Sequence, residues 1–439
     1  MTTADETDSV ELQDFNKDGE PETIIETHLV IPEPGLTEAE VPDSGWQAWL
    51  VVLGAFCANA ITIGFVNSTG TIQDYLLTHQ LAEESESTVG WIFSVYIFLM
   101  MFGGIQTGPL VDTYGVKLLI VPGCLLWCLS LMVLSLCREY YQFILALSIL
   151  GGVATSLIFS PSFAIISQWF TTKKPVALSI VAIGSSIIGS FLPVVLNILF
   201  NKLGYGWGIR IVGFMFMGLS LVCCLTVKSR VRSPKKLKWR DVSIDLKSLR
   251  ASNFRWAVYC LTISEWAYFL PALYIVGYAR TVLGFSNQDS NLLLVYQNIS
   301  STVGRFGAGM VARYYGSFNT MIAATLLSGL CALCLWIPIG TTSGGVTAFT
   351  VVFGLFSGAG MSVGPACIAS ISTPTNFGRR YGTTFAIVSL AVLTSLPIGG
   401  LLTARDYLGM KIITGAAYLV ASFSGFMARQ RTPRTSIYL

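Results

Sequence analysis

Twelve apolar runs follow one another along the chain, at 46–68, 89–108, 118–137, 142–166, 176–200, 207–227, 255–278, 291–312, 319–340, 345–369, 380–403 and 409–428. Each is close to the about 20 residues that carry a helix across a bilayer. Lipid offers the backbone no hydrogen-bond partners, so spans of this kind fold as helices or closed barrels, and runs this long fold as helices. The pattern predicts an all-α membrane protein with twelve transmembrane helices. Two longer polar stretches interrupt it. One is the head of the chain, 1–45. The other is KSRVRSPKKLKWRDVSIDLKSLRASN, 228–253, which separates six runs from six.

Composition supports this picture. Hydrophobic residues make up 53% of the chain and charged ones 12%, against about 25% charged in soluble domains. Too few polar residues remain to cover a soluble globule of 439 residues. The net charge of +3 conceals an asymmetry. Residues 1–45 hold thirteen acids and a single base, Lys17, without apolar periodicity. They read as a disordered acidic tail. No cleavable signal peptide is evident ahead of the first span, which is itself expected to direct insertion.

The basic residues set the orientation. With the N-terminus inside, inner segments carry nineteen Lys and Arg, ten of them between 228 and 255. Outer segments carry five, Arg138, Lys202, Arg280, Arg405 and Lys411. Positive charge stays on the cytoplasmic side, so both termini are expected there. The expected domains are a cytoplasmic tail 1–45, a first bundle 46–227, a linker 228–253, a second bundle 254–428 and a cytoplasmic tail 429–439. In the linker, Val242, Leu246 and Leu249 share one helical face amid bases.

The two halves echo each other. GPLVDTYG at 108–115 matches GMVARYYG at 309–316 in both glycines and a tyrosine. Pro161 matches Pro365 and Pro193 matches Pro397, each 204 residues on. Parallel repeats of this kind build carriers that hold a substrate between their halves near the midplane. The short segment GPLVDTYGVK, 108–117, falls at an inner turn between spans 2 and 3. Its glycines permit a tight reversal. Asp112 suits a helix N-terminus, where a carboxylate is favoured; a polar hairpin with a charge in water is the alternative.

GPLVDTYGVK resembles the loop motif of the major facilitator superfamily, through Gly108, Asp112, Gly115 and Lys117. The likeness covers all twelve spans. It implies two six-helix bundles, and a contact of Asp112 that forms and breaks with conformation. Thr113 and Val116 replace two of the motif's basic residues, and Arg313 stands where the second copy has the aspartate position. A narrower likeness is to the monocarboxylate porters, especially fungal ones. It rests on DSGWQAWLVVLGAF (43–56), QWFTTKKPVALSIVAIGSSIIG (168–189) and STVGRFGAGMVA (301–312). It implies that Arg305 binds a substrate carboxylate. The branch's span 1 lysine falls on Asn67 and its span 8 aspartate on Ser301, which implies a more neutral or larger substrate than lactate.

Charged groups inside spans are functional suspects, at a cost of about 2.5–3.5 kcal/mol each on insertion scales. Arg305 sits about seven residues, roughly 10 Å, from the inner end of span 8. It either snorkels to the interface or presents its planar fork to a carboxylate. Glu265 sits about ten residues, roughly 15 Å, from the inner end of span 7. It is read as a proton-coupling or substrate-binding carboxyl, or as a neutral acid bonded to a neighbouring helix. Tyr268 lies one turn on. The similar depths of Glu265 and Arg305 suggest a pair between spans 7 and 8. Asn59, Gln297 and Asn298 are weaker cavity-lining candidates. Asn67-Ser68-Thr69 is a glycosylation sequon too near the membrane to be reached.

All ten cysteines lie in apolar spans, and the two histidines, His28 and His79, are far from the Cys331–Cys334 CxxC. They read as packing residues, with no metal and no catalytic cluster. No phosphate-binding loop is present, so no nucleotide cofactor is expected. The expected function is secondary active transport of a small organic acid or metabolite by alternating access, not an enzyme. The expected partners are the solute, a coupled proton and the bilayer, with no nucleic acid. The cell membrane is the expected location, and export of a fungal secondary metabolite is one role the fungal likeness implies, the sequence not fixing the direction. Uptake of a monocarboxylate and a non-transporting nutrient sensor are the alternatives.

Overall fold

The computed structural model describes residues 45–230, 246–373, 376–403 and 407–432. The expected acidic tail, apart from its last residue, lies outside the described residues. So do Val242 with most of the linker, and residues 433–439.

The described residues are helical, with no strand. The helices are α1 (Trp46–Val66), α2 (Thr69–Thr78), α3 (Glu86–Phe102), α4 (Gly104–Tyr114), α5 (Lys117–Leu134), α6 (Tyr140–Phe143), α7 (Gly152–Ala164) and α8 (Lys174–Thr226). After the linker come α9 (Leu246–Arg250), α10 (Ser252–Thr281), α11 (Asn287–Tyr315), α12 (Ser317–Cys331), α13 (Ile337–Ile339), α14 (Ser343–Ser370), α15 (Phe377–Thr403) and α16 (Tyr407–Gln430). Helices α3 and α4 make one crossing, joined at Gly103. A π-helical stretch, Ile144–Gly151, joins α6 to α7, and a second, Ala332–Trp336, joins α12 to α13.

Nine helical stretches among the described residues are long and apolar enough to cross a membrane. One is α8, 53 residues long, which breaks at Gly204 with φ 75°. Only glycine adopts that backbone without strain. The break makes ten crossings of nine, and α11 with α15 brings the number to twelve. Helix α11 falls short on hydropathy because it carries Asp289, Gln297, Asn298, Arg305 and Arg313.

An even number of crossings puts the start of α1 and the end of α16 on one face, called the termini face below. The turns at 115–116 and at 316 lie there too. Gly115 and Gly316 both take a positive φ, 87° and 88°, so the repeated motif reproduces one left-handed turn in each half. Val116 N–H donates to Ser229 Oγ at 2.7 Å, tying the first turn to the end of α8. Lys117 is exposed at the start of α5. Asp112 lies in the last turn of α4, and its side chain lies outside the described residues.

Each half has its own aromatic centre. In the first, Phe65 meets Tyr96 and Trp127 edge-on, and the Trp127 indole donates to Ile61 O at 3.1 Å. In the second, Trp336 stacks on Phe349 at 4.5 Å between ring centres. The halves meet through α4 against α15 and α8 against α11. The first contact is backbone on backbone. A Cβ on Gly382 would run into the carbonyl of Gly104, and one on Gly108 into the carbonyl of Gly378. Gly309 of α11 lies directly on the Ser179 side chain of α8. Small residues let helices approach closely where lipid gives no hydrophobic drive.

Gly382→Val tests this closure. Backbone cannot yield to a branched side chain, so the termini ends of α4 and α15 should part. A cysteine replacing Ser160, which is buried beside the Gly104–Gly382 contact, should then react several-fold faster with a water-soluble maleimide. Equal rates with and without the Gly382→Val change would contradict the contact.

Candidate functional site

Helix α11 places its polar residues four apart. Gln297, Ser301 and Arg305 therefore fall on one face, and all three are buried. That face looks at α8 and α14. Arg305 is 2% exposed. Its Nε donates to Ser301 Oγ at 3.1 Å, within the helix. Its Nη1 crosses to α8 in the other half, donating to Ala182 O and to Ser185 Oγ, each at 2.5 Å. Its Nη2 donates to Met361 Sδ of α14 at 3.7 Å. The guanidinium therefore points into the junction of the halves and does not snorkel. Hydrogen bonds to charged groups contribute about 1.5–3 kcal/mol each, which offsets part of a desolvation cost of several kcal/mol.

The bond network continues from Arg305 to α1. Ser185 Oγ, which accepts from Arg305, donates to Ala182 O at 2.8 Å. Asn67 Nδ2, at the end of α1, donates to Ser185 O and to Asn298 Oδ1, each at 3.3 Å. Gly189 packs directly on Asn67 and Asn298. Asn67, Ser185, Asn298, Ser301 and Arg305 thus form one polar layer joining α1 and α8 to α11. Asn67 faces this layer, so its sequon is spent inside the protein.

Glu265 of α10 is 5% exposed, and its Oε2 has no hydrogen-bond partner. Arg305 couples electrostatically to Glu265 and to the buried Tyr268, so the structure gathers the three into one neighbourhood. It does not join Glu265 and Arg305 as an ion pair: the described hydrogen bonds of Arg305 go elsewhere. Met361 stands between them, contacting the guanidinium and lining the cavity beside Glu265. Gly108, Gly115 and Lys117 sit at or near the termini face, apart from this layer.

Sequence reasoning missed several partners. Ala182 contributes a carbonyl, which no side chain announces. Ser185 was visible as a hydroxyl in the apolar run GSSIIG. Met361 looks like any core methionine. An ion pair on the face away from the termini was also missed: Arg280 Nη2 to Asp74 Oδ2, 3.3 Å, linking α10 to α2. Lys411, counted above with the outer-loop bases, is instead a buried residue of α16. Its Nζ donates to Tyr278 OH at 2.9 Å and Trp336 O at 3.3 Å, and lies 4.4 Å from the Tyr278 ring centre.

The family model described as "Major Facilitator Superfamily" matches residues 48–353. The chain is 35% identical over 382 residues to the MFS transporter asaE of Aspergillus flavus, covering 86% of each chain. It is 34% identical over 402 residues to the aspyridones efflux protein apdF of Emericella nidulans, covering 91% of this chain and 80% of that one. Among solved structures it resembles the major facilitator transporter FucP in its outward conformation, with TM-score 0.68 and 16% identity over 88% of this chain and 98% of that one. That last likeness concerns the fold.

A charge held by a fork of donors is sensitive to the shape of the donor group. Arg305→Lys keeps the buried charge but loses the fork, whereas Arg305→Met removes the charge. The lysine variant should therefore unfold at the lower temperature of the two. Thermal unfolding followed by tryptophan fluorescence checks this, and a lysine variant that unfolds at the higher temperature of the two would contradict the geometry.

Proposed function

This chain belongs to the Major Facilitator Superfamily, and within that family we propose that it exports a fungal secondary metabolite bearing an anionic or strongly accepting oxygen group. Membership makes it a secondary transporter. The export direction and substrate class draw on the relatives, among them a protein named for aspyridone efflux. The observation that carries the reading is the buried guanidinium of Arg305, bonded across the junction of the halves.

In this reading, halves 46–227 and 254–428 rock about a central site. While they are together on the termini face, Ala182 and Ser185 occupy the Arg305 fork. When α8 and α11 part, those two bonds are lost. A carboxylate or enolate oxygen of the substrate replaces them, and the planar fork donates to the substrate at two points. Asn67, Ser301 and Tyr268 line the same region and set its polarity. Glu265 carries the coupled proton: a buried carboxyl with an unpartnered oxygen is best accommodated protonated, and Arg305 lies near enough to feel its charge once the proton leaves. Protonation of Glu265 and occupancy of Arg305 by an anion are thereby linked. Asp112 supports closure of the termini face as a conformation-dependent contact. Both termini are cytoplasmic, as the distribution of Lys and Arg supports, and the membrane is the cell membrane, as export to the medium requires. The affinity with the monocarboxylate porters rests on the motifs around Trp46, Ser179 and Arg305.

The test begins with metabolite profiling of cells with and without the protein. Its absence should raise one acidic metabolite inside the cells and lower it in the medium. Flux of that metabolite in vesicles across a pH series then assigns the residues. Arg305→Lys should lower flux at least about tenfold, the loss expected when about 1.4 kcal/mol of binding disappears. Glu265→Gln should flatten the pH profile. An unchanged metabolite partition would overturn the export reading, and an unchanged pH profile would remove the proton from Glu265.

A further inference from the structure

The two halves also meet through aromatic rings, on helices that the Arg305 layer does not use. Phe159 and Phe163 stand one turn apart on α7, and Tyr381 and Phe385 one turn apart on α15, so each pair shares a helix face. Across the junction Phe163 stacks on Tyr381 with ring centres 5.5 Å apart, and Phe159 meets Phe385 edge-on at 5.4 Å. Phe159 also lies 6.3 Å from the centre of the Tyr381 ring. All four rings are buried.

Rings that only sealed the junction would be complete without hydroxyls. Two hydroxyls nevertheless lie among them. Tyr381 OH is buried with no hydrogen-bond partner, and so is Ser160 Oγ, next to Phe159 on α7. Ser160 stands beside the Gly104–Gly382 contact, one residue from Tyr381. A hydroxyl has one hydrogen and two lone pairs, and leaving a buried one unpaired is costly. Phenylalanine and alanine would seal the same faces without that cost. Tyr381 also lies near enough to Glu265 to feel its charge, which puts this aromatic face beside the neighbourhood of Glu265 and Arg305.

We propose that α7 and α15 form a slot for a flat conjugated ring of the exported acid, with Tyr381 and Ser160 bonding to an oxygen on the edge of that ring. The proposal rests on the reading of Arg305 as the anion site and says what the rest of the substrate is: an aromatic or conjugated acid that carries a second oxygen group. When the halves part, each aromatic wall loses its partner. A flat ring restores the stacking and edge contacts, as an anion restores the bonds of the Arg305 fork. The two free hydroxyls each donate one hydrogen and accept as well, so a hydroxyl or carbonyl on the substrate completes them. A saturated acid of similar size brings no ring face to stack and is bound less tightly.

The test uses the purified full-length chain in lipid nanodiscs and three acids of equal charge and similar size: naphthoate, hydroxynaphthoate and the saturated decahydronaphthoate. Affinities are read by equilibrium dialysis, with empty nanodiscs as the blank. Naphthoate should bind about fivefold more tightly than decahydronaphthoate, the gain expected of ring contacts. Hydroxynaphthoate should bind about fivefold more tightly again, through the added hydrogen bond. Phe159→Leu/Phe385→Leu should remove the preference for naphthoate over its saturated counterpart. Tyr381→Phe/Ser160→Ala should remove the hydroxyl preference and keep the ring preference, and it is the second route should the leucine variant not fold. Equal affinities for the three acids, or binding of none of them, overturns the slot, as does a ring preference that survives the leucine variant. A hydroxyl preference that survives Tyr381→Phe/Ser160→Ala overturns the part given to those two residues. Arg305→Met should weaken all three acids. Undiminished affinity there would remove Arg305 as the anion site while the ring preference, and with it the slot, still stood.

Discussion

A guanidinium inside a bilayer must keep its hydrogen bonds, and Arg305 keeps them by reaching into the other half of the molecule. Two of its bonds end on α8, at Ala182 O and Ser185 Oγ. The charge is therefore most fully satisfied when the halves are together at this level. Separation exposes a strong, planar, unsatisfied donor, and this is the condition under which an anion binds best. In the function proposed above, one residue thus ties the energetics of closure to the availability of the site. The polar layer through Asn67 and Asn298 extends the same dependence to α1.

Lys411 shows what a purely structural buried cation looks like in this fold. Its partners, Tyr278 and Trp336, lie in its own half. Rocking of the halves leaves those contacts unchanged. The closures also differ in kind. Near the termini face, glycine backbones of α4 and α15 lie directly on each other. On the opposite face the ion pair Asp74–Arg280 is half-exposed, and such pairs contribute only about 0–1 kcal/mol.

Much of the fold was legible because the bilayer leaves the backbone few choices. The hydrogen bonds of each apolar run have to close within that run, so length and apolarity mark helices directly. The repeated glycine turns were legible for a similar reason, since Gly115 and Gly316 occupy a backbone region that side chains disfavour. Helix α11 was harder, because its buried polar face also lowers its hydropathy. Arg305 and Glu265 stood out as charges inside apolar runs, and both are buried, but their partners did not stand out. Ala182 offers a carbonyl, and Met361 a thioether, and neither type signals a site. Asp74 and Arg280 are 206 residues apart and look like ordinary loop charges. Lys411 was misplaced because position near a helix end says nothing of which way the side chain turns.

The most direct measure of the role of Arg305 is the distance between the halves at the termini face. Spin labels at Tyr114 and Tyr315, both exposed and one in each half, report it by pulsed electron paramagnetic resonance once the exposed Cys334 is replaced. If Arg305 holds α11 to α8, Arg305→Met should shift the distribution toward longer distances. Identical distributions in the two proteins would mean that the guanidinium does not hold the halves together.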